Sequence, residues 1–344
     1  GASLTLNGAD LIVTNAFSNA GDVVFAGEET LRFEGNGAQT LDLGNRTYSR
    51  LTIAKTGGSV AFANGFTTDF LYCRAVTPLG LVFAAGADYA VTSLTLDGYQ
   101  EVGEAAQHLL SLSSSASGTA WKLNATDDQR VRGVAVSDCD ASAGKTMKVG
   151  LFSTDNGLNS DNWDFTNDAV KEWIGGSSTY LTDANWRPAG IPTSNSQVAI
   201  VSSSGAATCT LAANNPQTVY SVIIGGEAGA SALVANSSLT VGGGISLGQN
   251  GTLTLNYFAT PNAVTGDVFV HRGGVVTHTG PQNNNNAAAN RVNLSVAGDM
   301  TIEAGGSVSA VGRGYSSDKG PYGSSGIAGN SHGGVGSSKN LCRG

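Results

Sequence analysis

Short apolar segments recur along the first hundred residues and alternate with polar turn residues. Within most segments every second residue is apolar, which is the pattern of a strand with one buried face. Gly, Asn, Asp and Ser fill the intervals between them. The segments are LTL from Leu4, LIV from Leu11, VVF from Val23, LRF from Leu31, LDL from Leu41, LTI from Leu51, VAF from Val60, LVF from Leu81 and LTL from Leu94.

This rhythm predicts an all-β fold and is typical of two architectures. A β-sandwich has turns at similar intervals, whereas a parallel β-helix stacks coils of roughly 20–30 residues, each with three short strands. The β-helix is favoured because the segments are short and alike, and because no proline-rich linker interrupts them. Uncharged Asn, Ser and Thr also crowd the turns, where stacked amides and hydroxyls form ladders and stacked charges repel. We therefore predict a parallel β-helix, or β-solenoid, built as one or two consecutive stacks.

A boundary is predicted near residues 165–172, where one series of strand segments ends and another opens. It divides the chain into a β-solenoid module over residues 1–168 and a second module over residues 169–344. The Gly/Ser-rich tail, residues 312–344, is predicted to be either an excursion from the stack or a flexible segment.

Residues 101–112 are the only helix candidate in the sequence. Their apolar residues fall on one helical face, but a strand through Leu110 and Leu112 explains the pattern equally well. The Asn-rich stretch at residues 281–290 is predicted to be an exposed loop.

Composition narrows the classes of function. Glycine accounts for 48 of 344 residues and charged residues for only 13%, against a typical charged share of about 25%. The hydrophobic fraction of 40% suffices for a core. The net charge is −8 and no basic patch stands out in the sequence, so nucleic acid is not an expected partner. No apolar run reaches the ~20 residues of a transmembrane segment. The first residues lack a signal-peptide pattern, which favours a mature or excerpted piece of a longer protein.

One segment resembles a known class of secreted protein. Residues 173–201, WIGGSSTYLTDANWRPAGIPTSNSQVAIV, resemble the W-x-G-G…N-W…G-x-P…I pattern that opens repeat units in autotransporter-like passenger β-helices of large bacterial surface proteins. Residues 33–60 and the GRGYSSDKGPYG…SHGG stretch are also similar to such repeats. The resemblance implies a right-handed parallel β-helix, export to the cell surface, and roles in adhesion, sheath or matrix building. It implies no catalytic residues.

Four tryptophans are the candidate ligand-binding residues: Trp121, Trp163, Trp173 and Trp186. Indole faces stack on sugar rings, which would make a glycan-binding platform. The alternative is structural, because a β-helix ends in an apolar face with unpaired edges. Trp163, Trp173 and Trp186 would then cover such a face, and this structural interpretation is favoured.

Two oxygen-rich loops are candidate calcium sites. One contains Asp138 and Asp140, and the other contains Asp155, Asn159 and Asp161. The spacing in the first of these loops is similar to the first half of a calcium loop, but position 12 counted from Asp138 is a valine rather than the required glutamate. Asp, Asn and Gly are also the usual residues of β-turns. A structural calcium ion is therefore the only cofactor that the sequence suggests.

The four cysteines are Cys73, Cys139, Cys209 and Cys342. None lies in a C-x-x-C pair, so a zinc site is not predicted. Two interpretations stay open: two disulfides in an exported protein, or free buried thiols that behave as small apolar residues.

No catalytic constellation is evident. Asp127 and Asp128 are adjacent acids, but neighbours on one strand point to opposite faces. The His-Gly pair that would assist them, at His332, is far away in the chain. His271 and His278 lack a third metal ligand.

Our leading hypothesis is a non-enzymatic extracellular structural or adhesive protein on the bacterial cell surface, serving as a stalk, sheath or fibre building block. Its expected partners are other copies of itself, neighbouring repeats of a longer chain, or surface glycans. The second hypothesis is a carbohydrate-binding or polysaccharide-cleaving β-helix, which depends on the four tryptophans and the Asp127/Asp128 pair.

Overall fold

The computed structural model describes residues 3–19, 21–25, 29–98, 108–127, 129–149, 153–160, 162–166, 169–257, 259–280 and 291–314. Across these residues the regular secondary structure is β-strand, and the only helical segment is a 3₁₀ turn at Asp183–Asn185. The chain divides into two compact units, Gly1–Val170 and Lys171–Gly344, which we name the first and the second solenoid. The boundary predicted at residues 165–172 includes this division.

The first solenoid begins with short strands and has its longest strands in the middle. Its strands are β1 (Ser3–Leu6), β2 (Leu11–Val13), β3 (Phe17–Ser18), β4 (Asp22–Phe25), β5 (Leu31–Phe33), β6 (Gln39–Asp42), β7 (Thr47–Ile53), β8 (Ser59–Phe62), β9 (Phe66–Arg74), β10 (Leu79–Phe83), β11 (Asp88–Asp97), β12 (Leu110–Ser114), β13 (Trp121–Ala125), β14 (Arg130–Arg132), β15 (Val134–Val136), β16 (Cys139–Asp140), β17 (Met147–Lys148), β18 (Thr154–Asp155) and β19 (Trp163–Asp164).

These strands pair in parallel into stacked sheets. One sheet has the order β18-β15-β12-β10-β8-β6-β3 and another the order β16-β13-β11-β9-β7-β5-β2, with β1-β4 and β17-β19 as two-stranded sheets. Each strand pairs with one from the next coil rather than with its neighbour in sequence. The predicted all-β solenoid is therefore confirmed, and the hairpins of a β-sandwich do not occur among these described strands.

The core of the first solenoid is made of columns of inward side chains. Leu31, Leu51, Leu71 and Leu94 lie above one another in register and are all buried. The 20-residue step from Leu31 to Leu51 and again to Leu71 falls in the predicted range for one coil. The alternation in sequence thus translates directly into an inward apolar column and an outward polar one.

The second solenoid has shorter and more uniform strands. They are β20 (Val170–Trp173), which spans the division, β21 (Ser177–Thr179), β22 (Trp186–Arg187), β23 (Gln197–Ile200), β24 (Ala206–Leu211), β25 (Gln217–Val219), β26 (Ser221–Ile224), β27 (Ala230–Ala235), β28 (Leu239–Val241), β29 (Ile245–Leu247), β30 (Gly251–Leu255), β31 (Asn262–Val264), β32 (Val268–Val270), β33 (Val275–Thr277), β34 (Leu294–Val296), β35 (Met300–Ile302) and β36 (Ser307–Val308).

Three parallel sheets form this unit, and from β25 onward each coil contributes one strand to each sheet. Their orders are β20-β23-β26-β29-β32-β35, β21-β24-β27-β30-β33-β36 and β25-β28-β31-β34, with β22 pairing antiparallel to β20 at the edge of the first. One coil spans 23 residues, as the pairing of Val222 with Ile245 and of Ile245 with Val268 shows.

Amide ladders join successive coils, as the sequence predicts. Asn256 Nδ2 donates to Asn236 Oδ1 over 2.8 Å, and Asn256 Oδ1 accepts from the Thr279 backbone N–H over 2.8 Å. Glycine is required where coils approach closely. At Gly225 φ is +78° and an added Cβ would lie 2.5 Å from the Gly251 nitrogen.

The structure describes only residues 108–112 of the candidate helix at residues 101–112. Leu110 and Leu112 lie on strand β12 and are buried, so the strand interpretation is confirmed there. Residues 101–107, the loop at residues 281–290 and tail residues 315–344 lie outside the described residues.

Candidate functional site

In the last described coil of the second solenoid, apolar residues are exposed at positions whose register partners, one coil earlier, are buried in the core. We name β34, β35 and β36 the last rung. Its Met300, Ile302 and Val308 are 40%, 47% and 45% exposed. The register partners of Met300 and Ile302, Val268 and Val270, are both 0% exposed. The last rung is therefore an open apolar face, with three strands that are terminal in their described sheets.

A polar cluster holds the last rung to the coil before it. Glu303 follows β35, and its Oε1 lies 3.0 Å from His271 Nδ1, while its Oε2 accepts from the Arg272 backbone N–H over 3.2 Å. His271 Nε2 lies 3.2 Å from Ser246 Oγ, one coil further down. The carboxylate on Nδ1 favours the tautomer in which Nδ1 carries the proton and Nε2 accepts from the hydroxyl. We name Ser246, His271 and Glu303 the clasp.

The clasp has the atom order of a hydrolytic triad, with hydroxyl, imidazole and carboxylate in sequence. A triad acts only when a substrate can reach the hydroxyl, and Ser246 is 6% exposed. Its position between three successive coils fits the alternative role, in which the hydrogen bonds fix the last rung in register.

The tryptophans predicted as a glycan platform are all buried. Trp121 is fully enclosed in the first solenoid, with its ring stacked on Phe83 at a centroid distance of 3.8 Å. Trp163 lies in the same core. A sugar ring stacks only on an accessible aromatic face, so the prediction of a platform on these four indoles is corrected.

Trp173 and Trp186 close the first edge of the second solenoid. They are register partners in the antiparallel pair of β20 and β22, with ring centroids 5.0 Å apart. Tyr180 packs edge-on against Trp186 at 4.9 Å. Both indole N–H groups donate to backbone carbonyls, those of Gly176 and Tyr180. This arrangement satisfies both indole N–H groups while the rings cover the aliphatic core.

The candidate calcium ligands cap turns and join coils. Asp138 Oδ1 accepts from the Gly118 backbone N–H over 2.9 Å, and Asp155 Oδ1 accepts from that of Gly157 over 2.8 Å. Asn159 Oδ1 accepts from the Cys139 backbone N–H over 3.0 Å, which links two coils. No group of three potential metal-ligating His, Cys, Asp or Glu side chains occurs in the described part of the chain. Asp161 lies outside that part, and calcium binding stays a prediction.

Asp140 lines a groove of about 280 Å³ on the outer wall of the first solenoid, together with Asp88, Lys122 and Asn124. Lys122 Nζ lies 3.3 Å from Asp88 Oδ1. The pKa of Asp140 is lowered, mainly by hydrogen bonds from the Ser142 side chain and backbone and to a lesser degree by Lys122. A cation entering the groove would have to compete with this ammonium group.

The three described cysteines are free and buried. Cys73 and Cys209 face the interiors of different solenoids, and burial raises the pKa of the Cys139 thiol to about 12. None of these three forms a disulfide, which favours the buried-thiol alternative: these side chains occupy core columns as small apolar residues. Cys342 lies outside the described residues.

Of Asp127 and Asp128, the adjacent acids considered for hydrolysis, the structure describes only Asp127. Asp127 is buried within the first solenoid, and Asp128 and His332 lie outside the described residues. A different carboxylate, Asp97, lies in an enclosed charge cluster of the first solenoid. Its oxygens lie 2.9 Å from Arg132 Nε and 3.5 Å from Arg130 Nη1.

The chain matches no protein-family model, no curated protein sequence and no solved structure. In the described part of the chain no helix has the length and hydropathy needed to cross a bilayer. The fold and its sites must therefore be interpreted from their own geometry.

Sequence reasoning missed both the last rung and the clasp. The segment that contains Met300 and Ile302 is recognisable as a strand from its sequence. The exposure of these two side chains is not, because it depends on β35 being the terminal strand of its described sheet. The spacing of Ser246, His271 and Glu303 shows a pattern only once the coil lengths are known, because the coil before Glu303 is longer than the one before His271.

Proposed function

We propose that this chain is a non-enzymatic structural or adhesive building block of an extracellular bacterial surface protein. The open last rung is the observation that carries the proposal. Its apolar inward residues lie in register with buried core residues of the preceding coil. Stacking of a neighbouring repeat or another molecule on this rung would therefore bury them. Repeated stacking of this kind builds a stalk, a sheath or a fibre.

Two other features support the proposal. The outer walls are mostly uncharged and are joined between coils by amide ladders, which suits a scaffold of stacked coils. The segment from Trp173 to Trp186, whose sequence resembles repeat units of exported β-helices, forms the closed first edge of the second solenoid. An edge closed in this way begins a new stack after any preceding module.

Labelling of intact source cells tests the proposed location. Antibodies raised against the purified chain should label cells whose envelope is unbroken, and added protease should remove the signal. A cytoplasmic protein serves as the control and should be labelled only after permeabilisation. If the chain behaves like this control, the proposal of a surface protein is wrong.

A further inference from the structure

The strands of the first described coil of the first solenoid are also terminal in their described sheets, and its inward residues are apolar. We name β1, β2 and β3 the first rung. Leu4 and Leu6 lie on β1, Leu11 and Val13 on β2, and Phe17 on β3. Their register places Leu11 and Val13 on the buried Leu31 and Phe33 columns. Leu4 is 46% exposed, close to the exposed fraction of Ile302 on the last rung, whereas Leu6 is only 9% exposed.

The last rung repeats this arrangement in the same chain order. Two inward apolar residues lie on β34, Leu294 and Val296, two on β35, Met300 and Ile302, and one on β36, Val308. All six strands of the two rungs are terminal in their described sheets. Each rung thus offers three parallel edges around a triangle of five apolar side chains, distributed two, two and one.

We propose that the last rung of one molecule binds the first rung of a second copy, so that three parallel strands of one chain continue the three sheets of the other. This inference rests on the proposed structural function and names the partner of the open face. Edge addition satisfies unpaired backbone groups on both sides, and the matched apolar residues bury one another.

Charge disfavours contact between two first rungs. Residues 1–31 contain four carboxylates, Asp10, Asp22, Glu28 and Glu29, and no Lys, Arg or His. The described residues 291–314 at the last rung contain two arginines and two carboxylates, which balance. Two first rungs therefore repel each other, whereas no net charge on the described residues of a last rung opposes its pairing with a first rung.

The interface is heterologous, because it joins two different surfaces of the same chain. Such contacts continue from molecule to molecule unless a rotation closes them into a ring. A molecule with one blocked rung can still bind one neighbour through its other rung.

Two blocked variants test the pairing in the full chain by sedimentation velocity. Leu4→Asp places a charge in the first rung and Ile302→Asp places one in the last rung. Each variant alone should associate at least about tenfold more weakly than the parent chain. A mixture of the two should recover a one-to-one complex, because it contains one intact first rung and one intact last rung. Val76→Asp, at a wall residue that is 51% exposed, is the matched control and should associate like the parent chain.

Several results would overturn the inference. Association of Leu4→Asp alone would show that last rungs pair with each other, and association of Ile302→Asp alone would show the same for first rungs. A parent chain that stays monomeric, and that associates only after residues 315–344 are deleted, would make that segment the occupant of the last rung. A parent chain that stays monomeric with and without the deletion would also contradict it. Circular dichroism confirms that each variant is folded, and cell labelling reports separately on the proposed function.

Discussion

The two solenoids share a parallel backbone ladder but fill it differently. In the first, aromatic rings from successive coils meet in the interior: Phe62 stacks on Phe83 at 5.1 Å, Phe83 stacks on Trp121 at 3.8 Å, and Tyr89 packs edge-on against them. In the second, the hydrophobic core residues from Val198 onward are aliphatic except for Cys209. Its large aromatic rings gather at one edge instead. The comparison shows that the coils can pack around either aromatic or aliphatic side chains. The position of the aromatic rings determines which strands lose stability when a ring is removed.

Strand length also differs between the two solenoids. Strands β7, β9 and β11 of the first solenoid are seven to ten residues long. At the end of β11, the carboxylate of Asp97 lies enclosed between Arg130 and Arg132. Strands β28, β29, β32 and β35 of the second solenoid are three residues long. Long strands give the first solenoid more pairs per coil, and also more specific interactions that a single substitution can remove.

The largest effect is expected from Trp121→Ala. This ring is fully buried and stacked in mid-core, so its removal leaves a cavity that neighbouring coils cannot close, at a cost of about 3–5 kcal/mol in the free energy of unfolding. Hydrogen exchange should show lost protection on several coils of the first solenoid and unchanged protection of β26, β29 and β32.

Trp186→Ala provides the comparison in the second solenoid. Trp186 is as buried as Trp121 but lies at an edge, where strands can fray without opening the stack. Lost protection should therefore be confined to β20, β22 and the adjoining loop. Equal spread of the damage in both variants would contradict the interpretation that aromatic residues act as a mid-core element in one unit and as an edge cover in the other.

The strand pattern was predictable from sequence because alternation at period two is a local property. The segments from Leu31, Leu51 and Leu94 each became strands whose inward residues are buried. The choice of a solenoid over a sandwich was also predictable, since uncharged turns fit stacked coils. Trp173 and Trp186 were correctly weighed as structural residues, because no chemical partner accompanies them.

Long-range register was not predictable. Asp97 meets Arg132, which lies 35 positions further along the chain, because β11 pairs with β14, and nothing in the intervening sequence fixes that pairing. Likewise, Ser246 reaches His271 only because one coil spans 23 residues at that point. Interactions between coils depend on the lengths of the turns, and those lengths vary along the chain.

An intermediate effect is expected from Asp97→Asn. The substitution leaves the Arg130 and Arg132 guanidinium groups close together without their carboxylate. Breaking a fully buried pair costs about 3–5 kcal/mol, and because these arginine side chains are 11% exposed, we expect about 2–3 kcal/mol. Urea unfolding followed by probes in the first solenoid measures this change.

Acid titration sharpens the same test. Burial acts to raise the pKa of Asp97, but Arg130 and Arg132 outweigh it, so the pKa is lowered from 3.8. A lowered pKa stabilises the fold above the unfolded value near 4 and loses that contribution as the pH falls through the folded value. The first solenoid of the parent chain should therefore lose stability below about pH 4, and Asp97→Asn should show a shallower loss. An equally steep loss would mean that Asp97 is not the group responsible.

The smallest effect is expected from Glu303→Gln in the clasp. The amide can still accept from His271 Nδ1 but lacks the charge, and Glu303 is 37% exposed, so we expect a loss of about 0.5–1 kcal/mol. Hydrogen exchange should show the loss on β35 and leave β26 unchanged, because only the last rung depends on the clasp. Glu34→Gln, which removes a half-exposed pair with Arg32 in the first solenoid, is the matched control and should leave β35 unchanged. If both substitutions weaken β35 equally, the clasp does not hold the last rung, and the rung is ordered by its strand pairing alone.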